Sequence, residues 1–401
     1  MAGEVEFIMQ RFRDYYISSP PPPPERFGRR EFGFMFFDKN FVQRHLGFAK
    51  EADFQAFLRD RVPSHSYYSS AYYKDPGAEK MEDKTWLGAD LIFDLDADHI
   101  PGAESLSYTE MLARVKQEMI RLLDDYVLGD LGFDESYLKV TFSGGRGYHA
   151  HVSDPKVQML RSHERREIVD YIIGTDLNMD WLVPERTMAD KRYGSTGRVQ
   201  SYQTRLLPSS SSGGWKGKLG RALPGFLDEL ESTGDAGARG RYSALRGEKQ
   251  EVVVALFDDL FSGTGGKRGR DLILQKGNLA DLKDRHVPLF VRLIEMDLRP
   301  RLAGEVDEPV TSDIKRLIRL PYSLHGKTGL RVEKMTRDEL EGFDPLRDAV
   351  PSTLSDAPIK LKMAKRLDIK LKGERFSLDG EVEVPEFAAL FLLCRREAVL
   401  P

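Results

Sequence analysis

The stretch Gly88-Ala89-Asp90-Leu91-Ile92-Phe93-Asp94-Leu95-Asp96-Ala97-Asp98 reads as a buried strand that ends in acid. Leu91, Ile92 and Phe93 form a short apolar run, which suits a central strand covered on both sides. Asp94 and Asp96 follow two residues apart, and residues i and i+2 of a strand share a face. Leu95 between them points the other way, into packing. Two carboxylates on one face repel each other unless a cation lies between them. Mg²⁺ and Mn²⁺ prefer oxygen ligands and are often held by one or two carboxylates plus substrate phosphates. A metal-dependent phosphoryl-transfer site and a solvated acidic turn both account for the pair. Asp98, four residues beyond Asp94, falls past the strand end.

Two stretches downstream bear on that choice. Tyr137 to Phe142 reads as a strand that runs into Ser143-Gly144-Gly145-Arg146-Gly147-Tyr148-His149. Glycines let backbone amides approach an anion, and Ser143 adds a hydroxyl. Arg146 supplies a planar fork that matches phosphate oxygens, and His149 can donate as well. The pattern is not a P-loop, because Gly-x4-Gly-Lys-Ser/Thr is absent. An ordinary glycine turn would not need Arg and His among its glycines. Far downstream, Arg316 to Gly329 gathers Arg316, Arg319, His325 and Lys327 around Pro321. A phosphate or template contact and a solvated basic loop account equally for that cluster taken alone.

The 401 residues carry a formal charge of −4, with 40% hydrophobic and 31% charged residues. This is globular composition with enough apolar material for two or three units. Any nucleic-acid surface has to be a local basic patch. Cys394 is the single cysteine, which excludes a disulfide framework and a zinc site built on several cysteines. A reducing, cytoplasmic compartment follows as the expectation. Met1 to Gln10 lacks the pattern of a signal peptide, and no apolar run approaches the ~20 residues of a membrane span.

Helical periodicity is expected over 5–18, 51–61, 162–174, 221–232, 250–262, 279–294 and 386–393. The clearest helix opens at Ser107, with Glu110 at capping-box spacing. Strands are expected at 31–37 and 66–73. Pro20 to Pro24 is a stiff spacer. Residues 184–218 read as polar and irregular, and 234–249 and 263–270 as glycine-rich basic loops. The resulting division is a discontinuous catalytic domain at 1–155 and 290–358, a helical insertion at 156–289, and a basic C-terminal tail at 359–401.

The acidic pair, the Ser-Gly-Gly-Arg-Gly-Tyr-His turn and Arg319-Leu320-Pro321-Tyr322-Ser323-Leu324-His325-Gly326-Lys327-Thr328-Gly329 form an ordered set. Together they resemble the small, catalytic subunit of the archaeal and eukaryotic replicative DNA primase. The likeness runs from about Arg30 to Val350, including Arg30-Glu31-Phe32 and Glu339 to Leu346. It implies an α/β (α+β) primase catalytic fold, with a mixed sheet and an inserted helical subdomain. It implies template-directed synthesis of short RNA primers on single-stranded DNA, by nucleotidyl transfer with two divalent ions, Mg²⁺ or Mn²⁺. It also implies a third catalytic and metal-binding aspartate beside Asp94 and Asp96. Asp307 fits the family's spacing, whereas Asp313 fits the start of a short helix over 312–318. By the same likeness Ser143, Arg146, His149, Arg319 and His325 hold the nucleoside triphosphate, and Glu31 and Arg44 contribute to the site. The implied partner is a large subunit with an iron–sulfur domain, in a heterodimer working at replication forks. A primase-polymerase of repair or end joining would lack the Arg319–Gly329 segment. An inactive scaffold subunit would have lost one of the three aspartates.

One departure stands out. Many archaeal relatives carry a Cys/His zinc motif soon after the acidic strand, whereas 99–136 here holds His99 and no cysteine. Zinc is therefore expected to be absent. Metal analysis after chelator-free purification should find no stoichiometric zinc, and a one-to-one zinc content would overturn this.

Overall fold

A computed structural model describes residues 2–100, 102, 105–190, 200–263 and 267–401. The chain forms two compact units, Met1–Ile172 with Gly304–Pro401, and Ile173–Ala303. The strands in chain order are β1 (Phe32–Met35), β2 (Gln43–Leu46), β3 (His65–Ser69), β4 (Ala71–Tyr73), β5 (Trp86–Ala89), β6 (Leu91–Asp96), β7 (Leu138–Phe142) and β8 (Gly147–Val152). After them come β9 (Glu185–Asp190), β10 (Gln200–Arg205), β11 (Leu317–Arg319), β12 (Glu333–Met335), β13 (Pro358–Met363), β14 (Leu367–Leu371), β15 (Glu374–Leu378), β16 (Glu381–Pro385) and β17 (Ala398–Val399). The helices used below are α1 (Ala2–Ser18), α2 (Glu51–Arg61), α3 (Tyr108–Arg121), α4 (Ser162–Ile173), α5 (Met179–Leu182) and α6 (Gly214–Arg241). They continue with α7 (Gln250–Phe261), α8 (Gly269–Lys276), α9 (Val287–Leu293), α10 (Arg299–Leu302), α11 (Glu308–Ser312), α12 (Arg337–Gly342), α13 (Pro345–Asp348) and α14 (Glu386–Cys394). No helix among the described residues is long and apolar enough to cross a membrane.

In the first unit one sheet runs β12-β7-β8-β6 and another β11-β3-β1-β2. Every described pairing in both is antiparallel, where the sequence led us to expect a mixed sheet. The short Ser143–Arg146 turn permits only an antiparallel hairpin between β7 and β8. Its register sorts the side chains by face. Leu91, Phe93 and Leu95 lie opposite Val152, Ala150 and Tyr148, which lie opposite Leu138, Val140 and Phe142. All nine are buried. Helix α3 packs against β6 and β8 with Leu112, Val115 and Met119 buried. Its capping box at Ser107 and Glu110 forms as expected. The other face carries Asp94 and Asp96 opposite His149 and Gly147.

The acidic strand is at the edge of its sheet, not the centre, because among the described residues β6 pairs with β8 alone. An open edge needs covering, and α11 does this: the Asp307 amide donates to the Asp94 carbonyl at 3.0 Å. Asp307 is the residue before α11, and Asp313 follows its last turn. The expected helix over 312–318 is thus displaced upstream, and β11 occupies its end. Pro309 near the start of α11 explains the shift, since proline is favoured in a first helical turn.

The expected strand at 66–73 breaks in its middle, and the acidic strand is set off from the residues before it at Asp90. Ser70 separates β3 from β4, and Asp90 separates β5 from β6, with the Asp90 amide on the Ser70 carbonyl at 3.0 Å. Arg30 fills the junction. It donates to the carbonyls of Ser69 and Ser70 and to Asp90 at 2.7 Å, and the pair is 3% and 5% exposed. Arg165 on α4, 1% exposed, donates to the carbonyls of Ala89 and Asp90, both at 2.8 Å. That is why residues up to Ile172 belong to the first unit, although 156–289 read as the insertion.

The second unit, Ile173–Ala303, is mainly helical. Trp215, Leu219, Leu223, Phe226, Leu227 and Leu230 are buried along α6, which packs against α7. The helix starts before the expected 221 and continues past a non-helical Gly234 into the stretch read as a loop. The region read as irregular contains the β9–β10 hairpin. Residues 264–266 of the second glycine-rich loop lie outside the described residues. The C-terminal segment is not a tail: β13 pairs with β16 and β17, β14 with β15, and α14 is buried almost throughout.

Breaking the Arg30–Asp90 pair leaves a buried charge unmatched. Asp90→Asn should lower stability by about 3–5 kcal/mol in urea unfolding, whereas paired Arg30→Met/Asp90→Leu should recover much of that. Equal losses from both variants would refute this account of the junction.

Candidate active site

A cavity of about 1210 Å³ in the first unit is lined by Asp94, Asp96, Ser143, Arg146, His149, Arg319 and His325, among others. The polar face of β6 and β8 supplies the first part of this lining. Asp94 and His149 face each other across the ladder, with His149 Nδ1 2.8 Å from Asp94 Oδ1. The contact is close but not an aligned hydrogen bond, and His149 Nε2 is likewise buried without a hydrogen-bond partner.

The glycine turn is shaped from within. Ser143 Oγ accepts from the amides of Gly145 at 3.3 Å and Gly147 at 3.2 Å. Those two amides are therefore occupied, where the sequence suggested amides free for an anion; the Ser143 hydroxyl keeps its own proton to donate. Gly144 has φ +78°, and a Cβ there would meet the His325 Cβ at 2.7 Å. A side chain at Gly147 would run into the Leu95 carbonyl oxygen, 2.7 Å away. Arg146 is exposed and rests on Asp98, with Asp96 Oδ1 3.7 Å away. Asp98 thus acts on the site through Arg146.

The third stretch locks onto the second by a directional chain. Arg319 Nη2 donates to His325 Nε2 at 3.3 Å, so His325 Nδ1 carries the proton toward Thr328 Oγ1 at 3.2 Å. The Thr328 hydroxyl in turn donates to the Gly144 carbonyl at 2.5 Å. This order fixes the tautomer of His325. Both its ring nitrogens are engaged, so it orients Arg319. Arg319 lies opposite Tyr67 in the β11–β3 ladder, with its guanidinium 4.6 Å from the Tyr67 ring centroid. Arg319 Nη1 is buried with no hydrogen-bond partner. Burial pulls the guanidinium down from its ordinary value, and Tyr67, Asp94 and Asp96 oppose that.

Three expected residues are absent from the lining. Asp307 is joined to Asp94 through the backbone. Glu31 and Arg44 pair with each other elsewhere: Glu31 is 0% exposed and accepts from Arg44 Nε at 3.0 Å and from the His45 amide at 3.1 Å. Lys84, also fully buried, lies 3.8 Å from it. This knot of charge holds β1 to β2 and takes no part in the lining. Sequence reasoning also passed over residues that do contribute. Tyr108 donates its hydroxyl to the Gly145 carbonyl at 2.7 Å, and Arg395 and Arg396 line the cavity. Tyr108 stood at a visible helix start, but nothing in its spacing linked it to the glycine turn.

Among the described residues, no three His, Cys, Asp or Glu side chains gather as a closed metal cage. Asp94 and Asp96 place two half-buried carboxylates on one face of the cavity, the kind of donors a Mg²⁺-like ion takes while completing its shell with water and phosphate.

The family described as DNA primase small subunit matches residues 93–337, which include Asp94 and Asp96 of β6, the glycine turn and the Arg319–Gly329 segment. The chain belongs to that family. It is 40% identical over 397 residues to the DNA primase small subunit PriS of Methanocella arvoryzae, covering 98% of this chain and 97% of the relative. The subunit of the same name from Methanococcoides burtonii is 39% identical, with 98% and 97% covered. That of Methanothrix thermoacetophila is 38% identical, with 97% of each chain covered.

Three buried histidines make the unit sensitive to acid. Burial, with Arg319 and Lys327 adding to it, pushes His65 down to about 2. Burial likewise holds His151 and His325 well below the ordinary histidine value. Each stays neutral when folded and takes up a proton near pH 6.5 when unfolded. The unfolded state therefore binds more protons below that pH, and stability falls as pH drops. The unfolding free energy should decline between pH 7 and 5, toward a slope of roughly 4 kcal/mol per pH unit for three groups. His65→Phe should remove about a third of that slope; an unchanged slope would refute the assignment.

Proposed function

We propose that the chain is the catalytic subunit of a DNA primase. It acts as a nucleotidyltransferase that builds short RNA primers on a single-stranded DNA template from nucleoside triphosphates. The observation that carries this reading is the pairing of two unmet buried groups, Arg319 Nη1 and His149 Nε2, with the Asp94 and Asp96 carboxylates on the same cavity. Phosphate oxygens answer the first two, and a divalent cation answers the carboxylates.

Asp94 and Asp96 would hold Mg²⁺ or Mn²⁺, and Asp307, joined to the edge of β6, is the third carboxylate in this reading. When bound, such ions lower the pKa of the attacking 3′-hydroxyl and neutralise charge on the departing pyrophosphate. The remaining work falls to the chain's own residues. Arg319 presents its free nitrogen to a phosphate oxygen from a desolvated position, where a charge-assisted bond is strong. His325 and Thr328 hold Arg319 in register with the glycine turn. His149 offers Nε2 while Asp94 steadies its ring. Ser143 donates its hydroxyl proton, and Arg146 exchanges Asp98 for phosphate. Glu31 and Arg44 serve the scaffold. A large subunit completes the proposed heterodimer.

Asp94→Ala and Asp96→Ala should each cut dinucleotide synthesis on single-stranded DNA by at least about 10²–10³-fold, the scale of losing a group that stabilises transition-state charge. Unfolding midpoints should stay near the native value. Synthesis at native rates in either variant would sink the metal assignment. Asp307→Ala and Asp313→Ala, assayed in parallel, should separate in the same way, with activity lost only in the first; the reverse result would move the third ligand to Asp313.

A further inference from the structure

The cavity extends beyond the residues that the triphosphate reading uses. Its volume of about 1210 Å³ exceeds the roughly 300–1,000 Å³ of ordinary small-ligand pockets. The surplus wall comes partly from Glu4, Val5 and Ile8 of α1 and partly from the C-terminal segment, with Arg395 and Arg396 on the lining beside Leu393 and Val399. These positions lie outside residues 93–337, the part matched by the family.

The backbone there is built to present these side chains. After α14 the Glu397 amide donates to the Leu392 carbonyl at 2.9 Å and the Arg396 amide to the Leu393 carbonyl at 3.0 Å. This is a Schellman closure, whose left-handed position usually takes glycine. Arg396 occupies it with φ +58°. A non-glycine residue in that conformation is strained, and such strain gathers at functional sites. Arg396 is exposed at the cavity. Arg395 stacks its guanidinium 3.9 Å from the centroid of Tyr108, whose hydroxyl reaches the Gly145 carbonyl. Stacking leaves the edge of a guanidinium available to oxygen ligands. Glu397, 3.5 Å away, is the acid that pairs with Arg395. Tyr108 thus stands between Arg395 and the glycine turn, so the two arginines form a separate cationic wall, set a ring's breadth from the triphosphate groups. Helix α14 is braced against the third stretch, because a Cβ on Gly329 would meet Leu390 Cγ at 2.9 Å.

We propose that Arg395 and Arg396 hold phosphodiester groups of the nucleic-acid strand that enters the cavity beside the nucleotide. The inference rests on the primase reading for what the strand is used for, but its test does not require synthesis. Binding of a fluorescent oligothymidylate to the full chain, without nucleotide or divalent metal, should weaken about 5–20-fold in Arg395→Ala/Arg396→Ala. The slope of log affinity against log salt should shrink by about 1.4, the share of two single-strand phosphate contacts. The double lysine variant, which keeps both charges, should recover most of the affinity and slope. The KM for nucleoside triphosphate in primer extension should change less than 2-fold. Native affinity and slope in the alanine variant would overturn the proposal, as would a rise in nucleotide KM with DNA binding intact. Failure of the lysine variant to recover would reduce the segment to a structural role and also overturn it. If the native chain binds DNA as described but makes no primer, the primase reading fails and this one stands.

Discussion

The period of two along β6, set at the edge of a sheet, is the constraint on which the rest depends. Odd positions carry Leu91, Phe93 and Leu95 into the core, and even positions carry Asp94 and Asp96 to the cavity. A slip of one residue would bury the acids and expose the hydrophobes, so packing fixes the chemistry's register. The edge position adds a second requirement, an element to satisfy the outer backbone of β6. Helix α11 meets it, and the need to close a sheet edge thereby brings Asp307 to Asp94.

Two remote stretches are joined by equally local rules. The turn after β7 has to be glycine where His325 presses on it, and His325 has to be neutral to accept from Arg319. Burial among Arg319, Lys327 and Arg146 keeps it so. The donor order from Arg319 through His325 and Thr328 to Gly144 leaves one guanidinium nitrogen unmet. The scaffold therefore holds a cation ready for an anion, and little reorganisation is needed when one arrives.

Much of this was legible in the sequence. The shared face of Asp94 and Asp96, the capping box at Ser107, the helix over 51–61 and the turn at 143–147 all rest on near-neighbour spacing. The failures came where tertiary partners decide. No spacing shows that β6 is an edge, or that Asp90 and Ser70 interrupt their strands, because the cause is Arg30, distant in the chain. Glu31 and Arg44 read as site residues, and the fold pairs them with each other away from the cavity lining, the acid buried and the guanidinium partly exposed, since side chains of the same type serve either purpose. Arg395 and Arg396 follow an ordinary apolar helix, and only the fold carries them to the cavity wall. The basic composition of 359–401 suggested a tail, but its short alternating strands were there to be read.

The bond between the Asp307 amide and the Asp94 carbonyl has a consequence for biogenesis. Its partners stand on opposite sides of the inserted unit Ile173–Ala303. During synthesis the first half of the sheet emerges with an acidic, unpaired edge, and the segment that seals it emerges only after the whole insertion. Closing so long a loop is slow relative to local hairpins and helices. Truncated chains that end within the insertion therefore cannot complete the site, and an incomplete product carries the acidic pair without its cover. The discontinuity of the unit thus ties closure of the acidic edge to completion of the whole insertion.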